Sequence, residues 1–215
     1  MILRKNGFSL TLLAIAMMLG CSSQPSTPAA ENATGAPHKT KSVEPAQPEA
    51  GREALQKMFA AARNWGIDSQ PLKLASNPRK GDTAGKAAVW SAAFASANKR
   101  SIRNFMWSGA TGDDAPEQGI SQGSIDTYSP DNASTRPFDP NYLKVDSTDA
   151  FETAQKHGGA ALLKKDPNMI LQYGLLWDPR AARLLWSIKY APNGAEAKLN
   201  VIVNASTGEF VRIEK

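Results

Sequence analysis

The stretch MILQYGLLWDPRAARLLWSIKYAPNG, residues 169–194, decides how this chain folds. Met169, Leu171, Tyr173, Leu175 and Trp177 occupy every second position, as apolar residues do on one face of a half-buried strand. Asp178-Pro179 turns the chain, and Leu184, Trp186, Ile188 and Tyr190 take up the alternation again. Asn193-Gly194 supplies the positive φ angles of a tight hairpin, and Leu199, Val201 and Val203 form a third apolar face. Ser206-Thr207-Gly208 then leads into a short strand from Phe210 to Ile213. Connections this short exclude the helical crossovers of a parallel sheet, so the sheet is antiparallel and offers one face to a helix.

That helix lies just upstream. Asp149 with Glu152 three residues on resembles a capping box, and Ala150, Phe151, Ala154, Ala161 and Leu162 give the apolar stripe. Gly158-Gly159 weakens it.

The same order recurs earlier, at an offset of 96 residues: Ala54 matches Ala150, Pro71 matches Pro167, Trp90-Ser91 matches Trp186-Ser187, and Phe94-Ala95 matches Tyr190-Ala191. Ala54, Leu55, Met58, Phe59, Ala62 and Trp65 predict a helix over 52–65. Strands follow over 72–75, 87–97 and 101–108, the last two joined by Asn98-Lys99-Arg100 as a turn. A unit of about 65 residues buries a limited core, so two copies are expected to share a sheet or pack face to face. Trp90 and Trp186 are expected to be equivalent core residues. The fold class is therefore α+β: two helix-plus-antiparallel-sheet units, αβββ-like repeats over 51–140, with a long loop, and over 141–215.

The second unit resembles a PepSY domain, of cystatin-like build, over residues 148–215. The resemblance rests on the Ala-rich helix from Asp149, on Leu184-Leu185-Trp186-Ser187-Ile188, and on the closing run from Val201 to Glu209. That run is similar to the family's final strand and its D-A-x-T-G-E turn, with Asn204 where Asp is commoner. The resemblance implies a noncatalytic module that binds proteins and restrains peptidases. The matching turn itself reads as structural, Gly208 for backbone freedom and Asn204 for turn hydrogen bonds.

Ahead of both units, Arg4 and Lys5 precede an apolar run from Phe8 to Leu19, too short to span a bilayer, that ends at Gly20-Cys21. Met18-Leu19-Gly20-Cys21 resembles the bacterial lipobox, with Met18 where Leu is more usual. Residues 1–20 thus read as a lipoprotein signal peptide, and Cys21, the sole cysteine, as the site of lipidation. Two or three acyl chains hold a protein at a membrane where one does not. Ser22 follows the cysteine, where Asp would signal inner-membrane retention in enterobacterial lipoproteins. The expected location is the envelope, anchored in the outer membrane and facing the periplasm. Residues 21–50, with five prolines and no aromatic residue, read as a tether. A coil of that length holds the domain roughly 30 Å from the membrane.

The chemistry-bearing motifs are weak. Gly119-Ile120-Ser121-Gln122-Gly123 matches the G-x-S-x-G of serine hydrolases, and an Asp and then His157 follow in the hydrolase order, but no strand-turn-helix context surrounds Ser121. An edge strand or Gly-rich loop is the plainer reading. Ser96-Ala97-Asn98-Lys99 matches S-x-x-K on a hairpin, where the lysine cannot stack beside the serine. His157 has no second histidine at ligand spacing, and Asp113, Asp114, Glu117, Asp126 and Asp131 keep no calcium-loop spacing, so neither metal nor cofactor is expected. Asn32, Asn132 and Asn204 begin Asn-x-Ser/Thr triplets of the kind expected by chance. The net charge of +5 is spread along the chain rather than gathered into a nucleic-acid footprint.

The resulting expectation is a noncatalytic envelope lipoprotein that binds the membrane through its anchor and an envelope protein, such as a peptidase, through its folded part. The segment 109–140, rich in Gly, Pro, Asp and Ser and carrying Tyr128 and Phe138, is the first candidate for that contact. The alternatives are a serine hydrolase using Ser121 and a small-ligand carrier using the concave face of the helix-backed sheet, which a core filled by Trp90 and Trp186 would count against.

Overall fold

The computed structural model describes residues 47–79, 81–193 and 195–214; Cys21, the signal segment and most of the expected tether lie outside the described residues. The first half runs β1 (Glu49–Ala50), α1 (Gly51–Trp65), β2 (Gln70–Ser76), β3 (Lys86–Ala87), β4 (Val89–Ser96), β5 (Ser101–Ser108) and β6 (Gly119–Thr127). The second runs α2 (Ser147–Ala154), α3 (Ala160–Lys165), β7 (Ile170–Asp178), β8 (Arg183–Ala191), β9 (Leu199–Asn204) and β10 (Phe210–Glu214). β1 pairs with β3, and the other eight strands make one antiparallel sheet in the order β10-β9-β8-β7-β2-β4-β5-β6. The architecture is α+β with a large antiparallel sheet. Its order is mirrored about β2 and β7, the first long strand of each half.

The register carries the offset read in the sequence. Trp90 lies opposite Trp107, and Trp186 lies opposite Val203, each member 96 positions further along. β7 departs from it: Ser76 lies opposite Trp90, whereas Leu175, three residues past the equivalent position, lies opposite Trp186. Only three residue pairs join the halves, Lys73 with Leu176, Leu74 with Leu175 and Ala75 with Gly174. Beyond them the Tyr173 N–H donates to Ser76 Oγ at 2.9 Å, and the Gly85 N–H donates to Tyr173 Oη at 2.9 Å.

All helices cover the same sheet face. α1 buries Ala54, Leu55, Met58 and Ala62 and exposes Arg52, Glu53, Gln56 and Lys57, the split that a 3.6-residue period produces. Its alanines bring the helix close to the sheet, over a layer formed by Trp90, Phe94, Phe105, Tyr173 and Trp186. α2 begins one turn earlier than the sequence suggests. Asp146 is the cap and Asp149 the reciprocal partner of the capping box, so Asp149 and Glu152 are not the pair. The helix breaks in a π-type turn at Gln155–Gly159, where His157 (φ −110°, ψ 38°) and Gly158 (φ 108°) leave helical geometry.

At the centre, Trp90 and Trp186 are fully buried and meet edge-to-face, with centroids 6.5 Å apart. Trp90 Nε1 donates to the Glu49 carbonyl at 3.1 Å, and Trp186 Nε1 donates to the Val145 carbonyl at 2.9 Å. Each carbonyl stands two residues ahead of its own helix. The helix starts also touch: the Gly51 N–H donates to Ser147 Oγ at 2.7 Å, and Ser147 Oγ–H donates to the Gly85 carbonyl at 2.5 Å. A Cβ at Gly51 would come within 2.6 Å of Trp186 Cη2 and 3.1 Å of Trp90 Cη2.

Three stretches differ from expectation. The segment 109–140 is not one long loop, because its middle forms β6, paired along β5. Residues 47–50, at the end of the presumed tether, belong to the fold: Glu49–Ala50 pairs with Lys86–Ala87, and the Gln47 N–H reaches the Gly109 carbonyl at 3.0 Å. Each half carries four strands of the large sheet, where the sequence reading gives four to the second half and only three to the first, the addition being β6.

Two predictions follow from this core. Gly51→Ala, which in an open helix gains up to about 1 kcal/mol, is expected here to lose about 1–3 kcal/mol by overpacking against the indoles, read as a lower urea midpoint at unchanged m-value. Burial pushes the Tyr190 phenol up to about 12, against the opposing hydrogen bond from Gln155, and burial raises Tyr173 as well. Both stay neutral where an unfolded chain's tyrosines ionise, near about pH 10. Their stabilisation is therefore full below that pH and declines as the pH climbs towards 12. Urea midpoints measured across this alkaline range should fall for the wild type and fall less for Tyr190→Phe.

Candidate functional site

Because the helices among the described residues all sit on one face, those residues put no helical layer over the other face of the sheet. Strand register arranges its side chains in rows that run across the strands. One row is Lys73, Leu176 and Leu185; the next is Ala75, Gly174, Ser187, Ile202 and Arg212; the third is Gln172, Lys189, Asn200 and Glu214. Small residues at Ala75, Gly174 and Ser187 make the middle row low between two taller ones. The hollow so formed is a groove of 490 Å³.

Leu185 and Ile202 are only 7% and 4% exposed although they lie on this side, while Leu176 is 57% exposed at the groove's lip. Polar order at the far end is fixed by a chain of contacts. Ser187 Oγ donates to Asn200 Oδ1 at 2.6 Å, Asn200 Nδ2 donates to Glu214 Oε2 at 3.0 Å, and Arg212 Nε donates to Glu214 Oε1 at 3.0 Å. Lys73 and Lys189 are exposed and form no ion pair among the described residues. A smaller hollow of 350 Å³ adjoins on the other side of Lys73, walled by Ile102, Asn104, Arg136 and Trp177.

The sequence-level candidates do not assemble. Ser121 is exposed on the edge strand β6, opposite Met106, and lines a hollow on the helix-free face. His157 is in the kinked helical layer, its ring stacked on Phe210 of the other edge strand at 3.9 Å between centroids and 9° between planes. The two are at opposite edges of the eight-stranded sheet and on opposite faces, so no serine–histidine pair forms. Lys99 sits in the β4–β5 turn, where its N–H donates to Ser96 Oγ at 3.1 Å, and Ser96 Oγ–H donates to Asp68 Oδ1 at 2.6 Å. Asp113, Asp114, Glu117, Asp126 and Asp131 gather into no metal-ligating cluster among the described residues.

Asn132 and Asn204 shape turns: Asn132 Oδ1 accepts from the Ser134 N–H at 3.0 Å, and Asn204 Oδ1 accepts from the Ser206 N–H at 2.8 Å. Gly208, at φ 78°, closes the second of these turns. In the 109–140 segment, Tyr128 is buried against Leu72, Ala93 and Ala95, and Phe138 enters the main core. Both aromatics fasten down the part of the segment that follows β6, while β6 itself stays exposed.

The groove itself escaped the sequence reading. Its one signal is Gly174, a glycine inside the strand that decides the fold, on the face opposite the apolar alternation.

No family model matches the chain, and no curated protein matches it. Among solved structures it is similar to a Clostridium difficile 630 protein described as a "putative lipoprotein", with a TM-score of 0.48 and 14% identity over 77% of this chain and 95% of that one. No helix among the described residues is long and apolar enough to cross a membrane.

Proposed function

We propose that the chain is a lipid-anchored envelope protein without chemistry of its own, which holds another envelope protein near the membrane. The anchor reading rests on Met18-Leu19-Gly20-Cys21 behind its short apolar run. Ser22 favours the outer membrane, with the domain in the periplasm. The two halves are read as diverged copies of one helix-and-sheet unit, the second PepSY-like.

The observation that carries the binding reading is β6. This edge strand is nine residues long, exposed throughout and paired on one side only, and Asp126 is its single charge. Ile120 and Ile125 stand 38% and 57% exposed along it. Such an edge presents unpaired N–H and C=O groups that accept an added strand. The opposite edge differs: β10 has five residues, a register break after Phe210, and the charges of Arg212 and Glu214. β6 has a bulge of its own opposite Asn104, which leaves Gly119–Gln122 and Ile125–Thr127 as two regular segments for an extended stretch of the partner. A peptidase is the partner class that the PepSY resemblance favours. The distance between Ser121 and His157 supports a noncatalytic role.

Metabolic labelling with a palmitate analogue should mark the wild type and spare Cys21→Ser; equal labelling of both contradicts the anchor. A photocrosslinking residue at Gln122, in full-length lipidated protein in intact cells, should give a defined adduct with another envelope protein, whereas the same probe at Arg212 should not. Adducts equal at both sites, no adduct at Gln122, or an adduct only with a second copy of this chain contradicts the partner reading. A fluorophosphonate probe should label neither the wild type nor Ser121→Ala.

A further inference from the structure

Gly174 stands in the middle of β7, near the centre of the sheet, where glycine weakens a strand. The usual reasons for tolerating it do not apply. Its φ is outside the left-handed region, and an added Cβ would meet nothing closer than Ser187 Cβ at 3.9 Å. A methyl group here would clash with no part of the protein; it would stand in the groove. What Gly174 provides is space, with Ala75 and Ser187 beside it in the same row.

We infer that this groove is a binding site for a small amphiphilic anion, an acyl or aryl carboxylate. Its floor and one wall are apolar, made by Leu176, Leu185 and Ile202 over the small residues. Strands are about 4.8 Å apart, so the small residues from β2 to β8 give a low stretch roughly 10 Å long, and Ile202 on β9 continues it with an apolar floor for a hydrocarbon tail. At 490 Å³ it lies within the range of about 300–1,000 Å³ typical of small-molecule sites.

Charge selects the head group. Glu214 is engaged by Arg212 and Asn200, and the Asp178 carboxylate accepts the backbone N–H groups of Arg180 and Ala181 at 2.9 and 3.2 Å. Lys73 and Lys189, on the two flanking rows, have no such partner among the described residues. An apolar trench with two uncommitted ammonium groups on its banks favours an anion over a cation with the same tail. The site is on the sheet's face, not at the β6 edge, and it stands or falls independently of the protein partner proposed above.

The test uses the whole chain as its Cys21→Ser variant, which carries no acyl chains of its own, and titrates it with laurate, dodecanol or dodecyltrimethylammonium below their micellar concentrations. Laurate should bind, and dodecyltrimethylammonium should not. Gly174→Leu should weaken laurate by on the order of tenfold or more, because the leucine fills the space that buries the tail. Its unchanged thermal midpoint and near-ultraviolet spectrum would show that the fold persists. Lys73→Glu with Lys189→Glu should lose laurate, leave dodecanol unchanged and gain dodecyltrimethylammonium, a reversal that misfolding does not produce. Failure of wild type to bind laurate, equal binding by folded Gly174→Leu, or equal affinity for the two charged amphiphiles overturns the inference.

Discussion

Everything in this fold closes on two indoles. Trp90 and Trp186 sit edge-to-face where the halves meet, and each donates its N–H to the carbonyl two residues ahead of its own helix. A buried carbonyl left without a donor costs about 1–3 kcal/mol, so these bonds hold both helix starts in place. Ser147 links the two starts through Gly51 and Gly85. The strands alone would join the halves weakly, with three residue pairs between β2 and β7. The aromatic layer, continued by Tyr173, Phe94 and Phe105, makes one core out of two units too small to be comfortable alone.

That arrangement places every helix on one side and determines what the other side can be. A face without a helical layer stays soluble when its large apolar residues are few and its cations dispersed. Here Lys73, Lys189, Arg212 and Glu214 share it with Leu176, Leu185 and Ile202, and the small residues between them leave a trench. The core between sheet and helices is filled by rings. What the described residues present at the surface is the trench and the β6 edge, and Ser121 and His157 form no pair.

Much of this was legible in the sequence because alternation reports burial on one face. Met169 to Trp177, Leu184 to Tyr190 and Leu199 to Val203 read correctly as strands since each packs every second side chain against helices. The tryptophan equivalence was visible for the same reason. β6 was legible only as one of two readings of Gly119–Gly123, an edge strand or a Gly-rich loop, because an edge strand needs no apolar face and because its bulge puts Ile120 and Ile125 on the same side although they are five residues apart in sequence. The start of α2 was misplaced because Asp146 and Asp149 can both cap, and only the hydrogen bonds separate cap from partner. The trench was invisible since it arises from rows across five strands, which no local pattern encodes.

The central claim is that the halves fold as one cooperative unit around the Trp90–Trp186 contact, with β6 left as an open edge. Native-state hydrogen exchange measures this directly. The account predicts that core amides of β4 and β8 exchange with the same free energy, equal to global unfolding, and that both drop together in Trp186→Phe, while β6 exchanges far faster in either protein. Separate free energies for the two strands, or a drop confined to the second half, would contradict it.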